Sequence, residues 1–147
     1  MIGSTACCVS ETDAVDHIGG YAVALDMTDR EAQSRAKKSG LPWTLGKGFD
    51  TSCPVSRFVE KSSIADPQNV ELWLNVNGVN RQRFSTAAMI FSIPYLISWI
   101  SHQMTLEPAD LILTGTPPGV GPVHAGDHID CGISDLLSVT FDVESRD

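Results

Sequence analysis

The segment ELWLNVNGVNRQRF, residues 71–84, limits the folds open to this chain more than any other stretch of its sequence. Leu72, Leu74 and Val76 alternate with polar residues, which is the period of a strand with one buried face. Asn77-Gly78 follows directly, and this pair is typical of the two-residue turn that joins antiparallel strands. The sequence therefore predicts an antiparallel hairpin whose apolar face packs against another element.

Later segments predict two more strands and a helix. LLSVTFDVES, near the end of the chain, alternates apolar and polar residues, and Leu111–Leu113 has the pattern of a short buried strand. Ser92-Ile93-Pro94 predicts a helix start with proline near the first position, and the helix should run to about Gln103. With 147 residues and no repeat or linker, we predict a single α+β domain, residues 1–147, built on a mixed or antiparallel sheet.

A strand, a corner and a helix are predicted earlier in the chain. Tyr21–Asp26 is an apolar run preceded by two glycines, and Asp26 stands at its carboxyl end. Thr28 lies three residues before Glu31, which is the capping-box pattern that opens a helix. We expect this helix to end just before Gly40, a residue that suits the left-handed stop of a helix.

Charge and composition argue against some classes of partner. The net charge of −8 opposes nucleic acid as the main partner, because phosphate contacts need a basic surface. The longest apolar stretch, AAMIFSIPYLISWI, is interrupted by Pro94 and falls short of the ~20 residues that a membrane span needs, so we expect no membrane segment. The four cysteines form no CxxC pair and indicate neither a zinc site nor a disulfide scaffold.

Five polar residues around the first predicted helix are candidates for chemistry. Asp26, a carboxylate at a strand end, suits a Mg²⁺ ligand, although a polar cap beside a helix N-terminus explains the same placement. Arg30 and Gln33 suit the recognition of a carboxylate, although a solvated helix face is the more common place for such residues. Lys47 lies between two glycines and suits the stabilisation of an enolate, and Thr51 adds a hydroxyl; a flexible loop is the alternative.

The loop TGTPPGVGP, residues 114–122, offers backbone N–H groups and two hydroxyls, those of Thr114 and Thr116. An anion cradle and a rigid proline-glycine turn explain it equally well, and it lacks the GKS or GKT of a P-loop. His124 and His128 frame HAGDHID, where Gly126 indicates a turn, so a histidine metal site is not favoured.

Taken together, these segments resemble the fumarylacetoacetate hydrolase family. The resemblance is carried by GGYAVALDMTDREAQ, GLPWTLGKGFDTSCPV, the VNG hairpin, LILTGTPPGVGPV and GDHID, in family order from His17 to Asp147. It is closest to the family's eukaryotic mitochondrial members that act on acylpyruvates and oxaloacetate. It implies a mixed β-sandwich roll of that family's C-terminal domain type, a homodimer, and a mitochondrial location with the cytosol as the alternative.

The resemblance also implies a reaction and a set of site residues. The reactions are Mg²⁺- or Mn²⁺-dependent hydrolysis of acylpyruvates and decarboxylation or keto–enol tautomerisation of oxaloacetate, all through a metal-stabilised enolate. The substrate is therefore a small oxo acid. The implied residues are one metal ligand, one catalytic lysine and four substrate contacts: Asp26; Lys47; and Arg30, Gln33, Thr51 and Thr116.

Two features of that family are missing from this sequence. It contains no His-x-x-Glu pair and no Glu-x-Glu pair, which family members carry on a lid and at the metal. The opening MIG resembles the strand that follows the Glu-x-Glu pair, so we expect the chain to begin in the middle of a larger domain. The alternative function is therefore a catalytically inactive truncated isoform, since loss of a general base alone costs about 10²–10⁴-fold in rate.

Overall fold

The computed structural model describes residues 1–145, in which short helices surround two antiparallel sheets. The α-helices are α1 (Glu11–Ala14), α2 (Arg30–Lys38), α3 (Thr44–Lys47) and α4 (Ile93–Ser101). The strands are β1 (Gly20–Tyr21), β2 (Val59–Glu60), β3 (Glu71–Val76), β4 (Val79–Ser85), β5 (His128–Ile133) and β6 (Leu137–Asp142). Single 3₁₀ turns occupy Val15–His17, Lys61–Ser63 and Thr86–Ala88.

The predicted hairpin is confirmed as β3 and β4. Val76 pairs with Val79 across Asn77 and Gly78, whose φ angles are 52° and 75°, and positive φ at both positions is what a two-residue type I′ turn requires. The larger sheet has the order β4-β3-β5-β6, and each neighbouring pair is antiparallel. The predicted terminal strand is confirmed as β6, which covers the edge of β5. The α+β prediction with an antiparallel sheet is therefore confirmed.

Helix α4 fixes the amino-terminal segment to the rest of the domain. Its start is confirmed at Ser92, whose hydroxyl accepts from the Tyr95 backbone N–H at 3.1 Å. Two serines on α4 bind Val9: the Ser98 hydroxyl donates to the Val9 carbonyl at 2.8 Å, and the Ser101 hydroxyl accepts from the Val9 N–H at 3.0 Å. The apolar side of the helix completes a buried cluster: Ile2, Ala6, Ala14, Ile18, Ile97 and Leu106.

The helix predicted after Asp26 begins one residue later than its capping pattern indicated. Asp29, not Thr28, is the N-cap, since its carboxylate accepts from the backbone N–H groups of Glu31 and Ala32, both at 2.9 Å. Thr28 is unavailable as a cap because its hydroxyl donates to the Asp26 carbonyl at 3.1 Å. The predicted stop is confirmed, with Gly40 at φ 65°.

The strand predicted over Tyr21–Asp26 is wrong beyond its first residue. Ala24 forms only an isolated bridge with Val55, because the Val23 N–H donates to the Ser56 hydroxyl at 3.0 Å instead of to a backbone carbonyl. A regular ladder cannot continue through that position. The segment nevertheless stays extended and carries Asp26 to the corner where a strand end was predicted.

The buried strand predicted at Leu111–Leu113 is also wrong. The segment has no strand assignment, and Leu111 and Leu113 are 37% and 48% exposed. These residues line a cavity instead of joining the sheet. Their apolar pattern therefore arises from their position in a cavity wall and not from pairing with a neighbouring strand. Within residues 1–145, no helix is both long enough and apolar enough to cross a bilayer.

The turn before β5 should make stability depend on pH. The Asp127 carboxylate accepts from the His124 backbone N–H at 2.7 Å and from the Asn77 side chain at 2.8 Å, and these bonds lower the pKa of Asp127. A lowered folded-state pKa stabilises the protein above the ordinary aspartate pKa, and this contribution is lost as pH falls through the folded value. We expect Asp127→Asn to lose less unfolding free energy than wild type as the pH falls from neutral through the acidic range in which aspartates titrate.

Urea unfolding followed by tryptophan fluorescence at several pH values measures this difference. Asp135→Asn, which alters an exposed aspartate in the following turn, is the matched control and should retain the wild-type pH dependence. Parallel pH profiles for Asp127→Asn and wild type would show that the turn makes no such contribution.

Candidate active site

A lysine, an aspartate and a threonine form a compact polar cluster at the predicted corner. The Lys47 Nζ lies 2.7 Å from Asp26 Oδ2 and donates to Thr28 Oγ1 at 2.9 Å. The Lys47 and Asp26 side chains are 33% and 50% exposed, so both face open space as well as each other. The ammonium is held in one position by two oxygens and retains a third N–H for a ligand.

Backbone contacts fix both sides of this cluster. The chain on either side of Asp26 is held by bonds from the Leu25 N–H to the Pro54 carbonyl at 3.0 Å and from the Met27 N–H to the Ser52 carbonyl at 2.8 Å. Lys47 is the last residue of α3, which packs on the start of α2. That packing depends on Gly46, where a Cβ would lie 3.0 Å from the Gln33 backbone nitrogen. Lys47 is thus presented by a close helix contact and not by a flexible loop.

The cluster opens into a cavity of about 1130 Å³. One wall is the segment from Ala22 to Glu31, a second is the inner side of β3 and β5, and a third is the loop from Leu111 to Val123. Four of the predicted site residues line it: Asp26, Arg30, Lys47 and Thr116. The structure therefore gathers residues that are separated by up to 90 positions in the sequence around one concave surface.

The other two predicted site residues lie apart from the cavity lining. The Gln33 amide oxygen accepts from Arg30 Nη1 at 3.1 Å, which places Gln33 behind a residue that lines the cavity. Thr51 is exposed, with φ 66°, and is not among the lining residues. The structure thus places Gln33 next to the site through Arg30 and leaves Thr51 outside the cavity wall.

Gln82, on β4, is a site residue that sequence analysis missed. Its Nε2 donates to Thr116 Oγ1 at 2.9 Å and to the Pro117 carbonyl at 2.7 Å. The sequence offers no signal for it, because a regular hairpin would pair Leu74 with Arg81, and only an irregularity in β4 places Gln82 opposite Leu74 and on the same face. A glutamine opposite an apolar, inward-facing position needs a polar partner, and the 114–122 loop supplies it.

Cys131 also lines the cavity but is not a candidate nucleophile. It is 1% exposed, and burial, helped by the nearby Asp130 carboxylate, raises the pKa of the Cys131 thiol to about 11. Since the thiolate and not the thiol is the nucleophile, this side chain stays protonated and unreactive near neutral pH.

Asp26 offers a half-exposed carboxylate toward a divalent cation; Asp29 and Glu31 also line the cavity, but the Asp29 carboxylate caps α2. Among residues 1–145, no group of three or more histidine, cysteine, aspartate or glutamate side chains could hold a metal ion together. Mg²⁺ prefers six oxygen ligands at near-ideal octahedral positions, so these residues alone do not complete a metal site.

The fold is that of a known enzyme family. A family model described as the fumarylacetoacetate (FAA) hydrolase C-terminal domain matches residues 1–144, and the chain is a member of that family.

Among its relatives, the chain is 56% identical over 144 residues to human oxaloacetate tautomerase FAHD1, mitochondrial. It is 58% identical over 146 residues to the protein of the same name from Arabidopsis thaliana. The chain spans 65% and 66% of the lengths of these two relatives, while 98% and 99% of the chain itself is matched.

Solved structures agree with this assignment. The crystal structure of fumarylpyruvate hydrolase from Pseudomonas aeruginosa, in complex with Mn²⁺ and pyruvate, matches 99% of the chain with a TM-score of 0.94 and 36% identity. A fumarylacetoacetate hydrolase family protein of yeast, ynq8, matches 99% of the chain with a TM-score of 0.93 and 35% identity. The chain covers 62% and 65% of these two structures, and the predicted C-terminal domain fold of the family is confirmed.

Proposed function

We propose that this chain carries the oxo-acid site of a metal-dependent enzyme that tautomerises or decarboxylates oxaloacetate or cleaves acylpyruvates. The observation that carries the proposal is the Lys47 ammonium, held 2.7 Å from Asp26 at the mouth of a cavity that Thr116 and Arg30 also line. The names of the relatives, oxaloacetate tautomerase and fumarylpyruvate hydrolase, support the substrate class. Both substrates named there are small oxo acids with a carboxylate.

Each proposed role follows from the chemistry of its side chain. The substrate carboxylate is bound by the Thr116 hydroxyl on the 114–122 loop, with the Arg30 guanidinium as a second source of positive charge in the cavity. Lys47 lies where its ammonium can offset the negative charge of an enolate oxygen, and a fixed donor needs no reorganisation as that charge develops. Gln33 orients Arg30 through its 3.1 Å hydrogen bond, and Thr51 is proposed as a more distant substrate contact.

The proposed cofactor is a divalent cation, Mg²⁺ or Mn²⁺, with Asp26 as one of its ligands. The Mn²⁺ in the Pseudomonas aeruginosa structure supports this proposal. Such an ion acts as a Lewis acid on a bound carbonyl oxygen. Residues 1–145 do not complete a metal site by themselves. The roles given above for Lys47 and Thr116 therefore do not depend on the ion.

The second candidate is a chain that is catalytically inactive when it stands alone. The observation in its favour is that Asp26 is a single carboxylate already paired with Lys47 and that no three-ligand group is found among residues 1–145. On this reading the domain keeps the cavity and the anion-binding loop but lacks the affinity for metal and the general base that turnover requires.

One comparison tests both candidates. The purified 147-residue chain and a form joined to the amino-terminal segment of the human relative are assayed with oxaloacetate and an acylpyruvate, with Mg²⁺ or Mn²⁺, by the decay of enol absorbance. We expect the extended form to convert these substrates and the short chain to be far slower. Robust metal-dependent turnover by the short chain would eliminate the inactive reading, and the absence of turnover in both forms would eliminate the enzyme proposal.

From the names of the relatives we also propose a mitochondrial location, with the cytosol as the alternative.

We further propose that the protein is a homodimer. Large apolar side chains on and beside α4 are exposed and would be covered in an assembly: Ile90, Phe91, Trp99 and Met104 are 91%, 51%, 56% and 63% exposed. Sedimentation equilibrium measures the assembly directly, and a mass equal to the 15.8 kDa monomer would contradict the dimer.

A further inference from the structure

Strand β4 is irregular at the point where it meets the 114–122 loop. Leu74 pairs with Gln82 and Asn75 pairs with Asn80, so Arg81 is an extra residue without a partner on β3. This is a β-bulge, a feature that redirects neighbouring side chains and is frequent beside active sites. The Asn80 side chain supports it by donating to Asn75 Oδ1 at 3.0 Å.

The bulge brings the backbone of β4 against the loop. A Cβ at Gly119 would lie 1.9 Å from the Arg81 carbonyl oxygen, and Gly119 has φ 107°. Both the contact and the backbone angle therefore require glycine. Gly119 and Gln82 together hold the loop at two points along the same strand, so the position of Thr116 is set by β4.

The partners of Gln82 determine which end of its amide faces the loop. The Pro117 carbonyl is an acceptor only, so the group 2.7 Å from it must be the Nε2 donor and not the amide oxygen. The second Nε2 hydrogen then points to Thr116 Oγ1 at 2.9 Å. Thr116 accepts this bond, and its own hydroxyl hydrogen is left to donate into the cavity.

We propose that Gln82 is a positioning residue that holds the Thr116 hydroxyl as a hydrogen-bond donor toward a substrate carboxylate. This inference rests on the proposed function, because it names the carboxylate of an oxo acid as the acceptor. It adds a residue outside the metal-and-lysine cluster and makes the affinity for the anion depend on an uncharged side chain of the sheet.

The test is an NMR titration of the ¹⁵N-labelled extended form, the chain joined to the amino-terminal segment of the human relative, with oxalate at a fixed Mg²⁺ concentration, which measures weak as well as tight binding. Gln82→Met keeps the length of the side chain and loses both donors, and we expect it to lower the affinity about tenfold. Gln82→Glu presents acceptors only, competes for the Thr116 hydroxyl hydrogen and places a negative charge by the anion, so we expect a loss of about a hundredfold.

A double-variant comparison separates positioning from a general loosening of the fold. Thr116→Val should lower the affinity at least as much as Gln82→Met, and adding Gln82→Met to Thr116→Val should cost little more, because Gln82 acts through Thr116. Arg83→Gln, on the same strand but paired with Glu71, is the matched control and should leave the affinity unchanged.

The two levels of the proposal fail in different ways. If wild type shows no chemical-shift change with oxalate, the proposed function is overturned and this inference with it. If wild type binds oxalate but Gln82→Met and Gln82→Glu bind equally well, or if the losses from Gln82→Met and Thr116→Val simply add, only the positioning role is overturned.

Discussion

Replacing Lys47 with methionine is expected to lower kcat for oxaloacetate conversion by about 10²–10³-fold, the cost of removing one fixed donor from a developing oxyanion. The substitution keeps the length of the side chain and removes the ammonium that Asp26 and Thr28 hold at 2.7 and 2.9 Å. The loss should be in kcat more than in KM, because most of the negative charge that the ammonium stabilises develops only as the enolate forms. Steady-state kinetics on the form of the protein that turns over oxaloacetate provide both constants.

The fold should survive this change, which makes the kinetic result interpretable. The Lys47–Asp26 pair is partly exposed, with side-chain exposures of 33% and 50%, and such pairs contribute about 0–1 kcal/mol to stability. Lys37→Met, at the exposed end of α2, is the matched control and should leave kcat unchanged. An equal loss in both variants, or an unchanged kcat in Lys47→Met, would remove Lys47 from the reaction.

The parts of the fold that could be predicted from sequence are those whose causes are local. Asn77-Gly78 determines its turn through its own backbone preferences, and Ser92 caps α4 through a hydroxyl three residues from its partner. The Leu111–Leu113 prediction failed because alternation reports which residues meet apolar surroundings and not whether a strand partner is present. A cavity wall and a sheet give the same pattern over three residues.

The candidate site likewise contains residues that local sequence could suggest and a residue that only long-range contacts reveal. Asp26, Arg30, Lys47 and Thr116 were named from sequence, and the structure places all four on one cavity. For Asp26, Arg30 and Lys47, local sequence by itself favoured a cap, a surface residue or a loop. The structure adds the long-range contact of Lys47 with Asp26, 21 positions away, which no local pattern predicts. Gln82 was missed because its partner Thr116 lies 34 residues further on, beyond the reach of any local pattern.

Thr28 shows how tertiary contacts override a local rule. The capping-box pattern named Thr28 and Glu31, yet the Thr28 hydroxyl serves Lys47 and the Asp26 carbonyl while the Asp29 carboxylate caps the helix. An ionised carboxylate accepts two N–H groups at once, so Asp29 satisfies the helix end without Thr28. The displaced threonine is thereby free to hold the ammonium at the cavity mouth.

Gly132→Ala is expected to lower the free energy of unfolding by about 3 kcal/mol or more, at the upper end of the range for overpacking a core. Gly132 is the next-to-last residue of β5, where a Cβ would be 2.2 Å from the Leu137 carbonyl oxygen on β6 and 2.7 Å from two carbons of the Trp73 ring on β3. The Trp73 indole cannot easily move, because its N–H donates to the Ser134 carbonyl at 3.1 Å. Relief of the clash would have to separate strands that form a wall of the cavity, so oxalate binding should weaken as well.

Gly78→Ala separates this steric cost from the ordinary cost of replacing a glycine. Gly78 has φ 75° but nothing lies within 4 Å of a Cβ there, so the variant should lose only the ~1–2 kcal/mol of a left-handed alanine. Urea unfolding followed by circular dichroism gives both values on one scale. If Gly132→Ala is no less stable than Gly78→Ala, β5 and β6 yield at that point, and the contact of Trp73 with the Gly132 backbone does not hold the cavity wall in place.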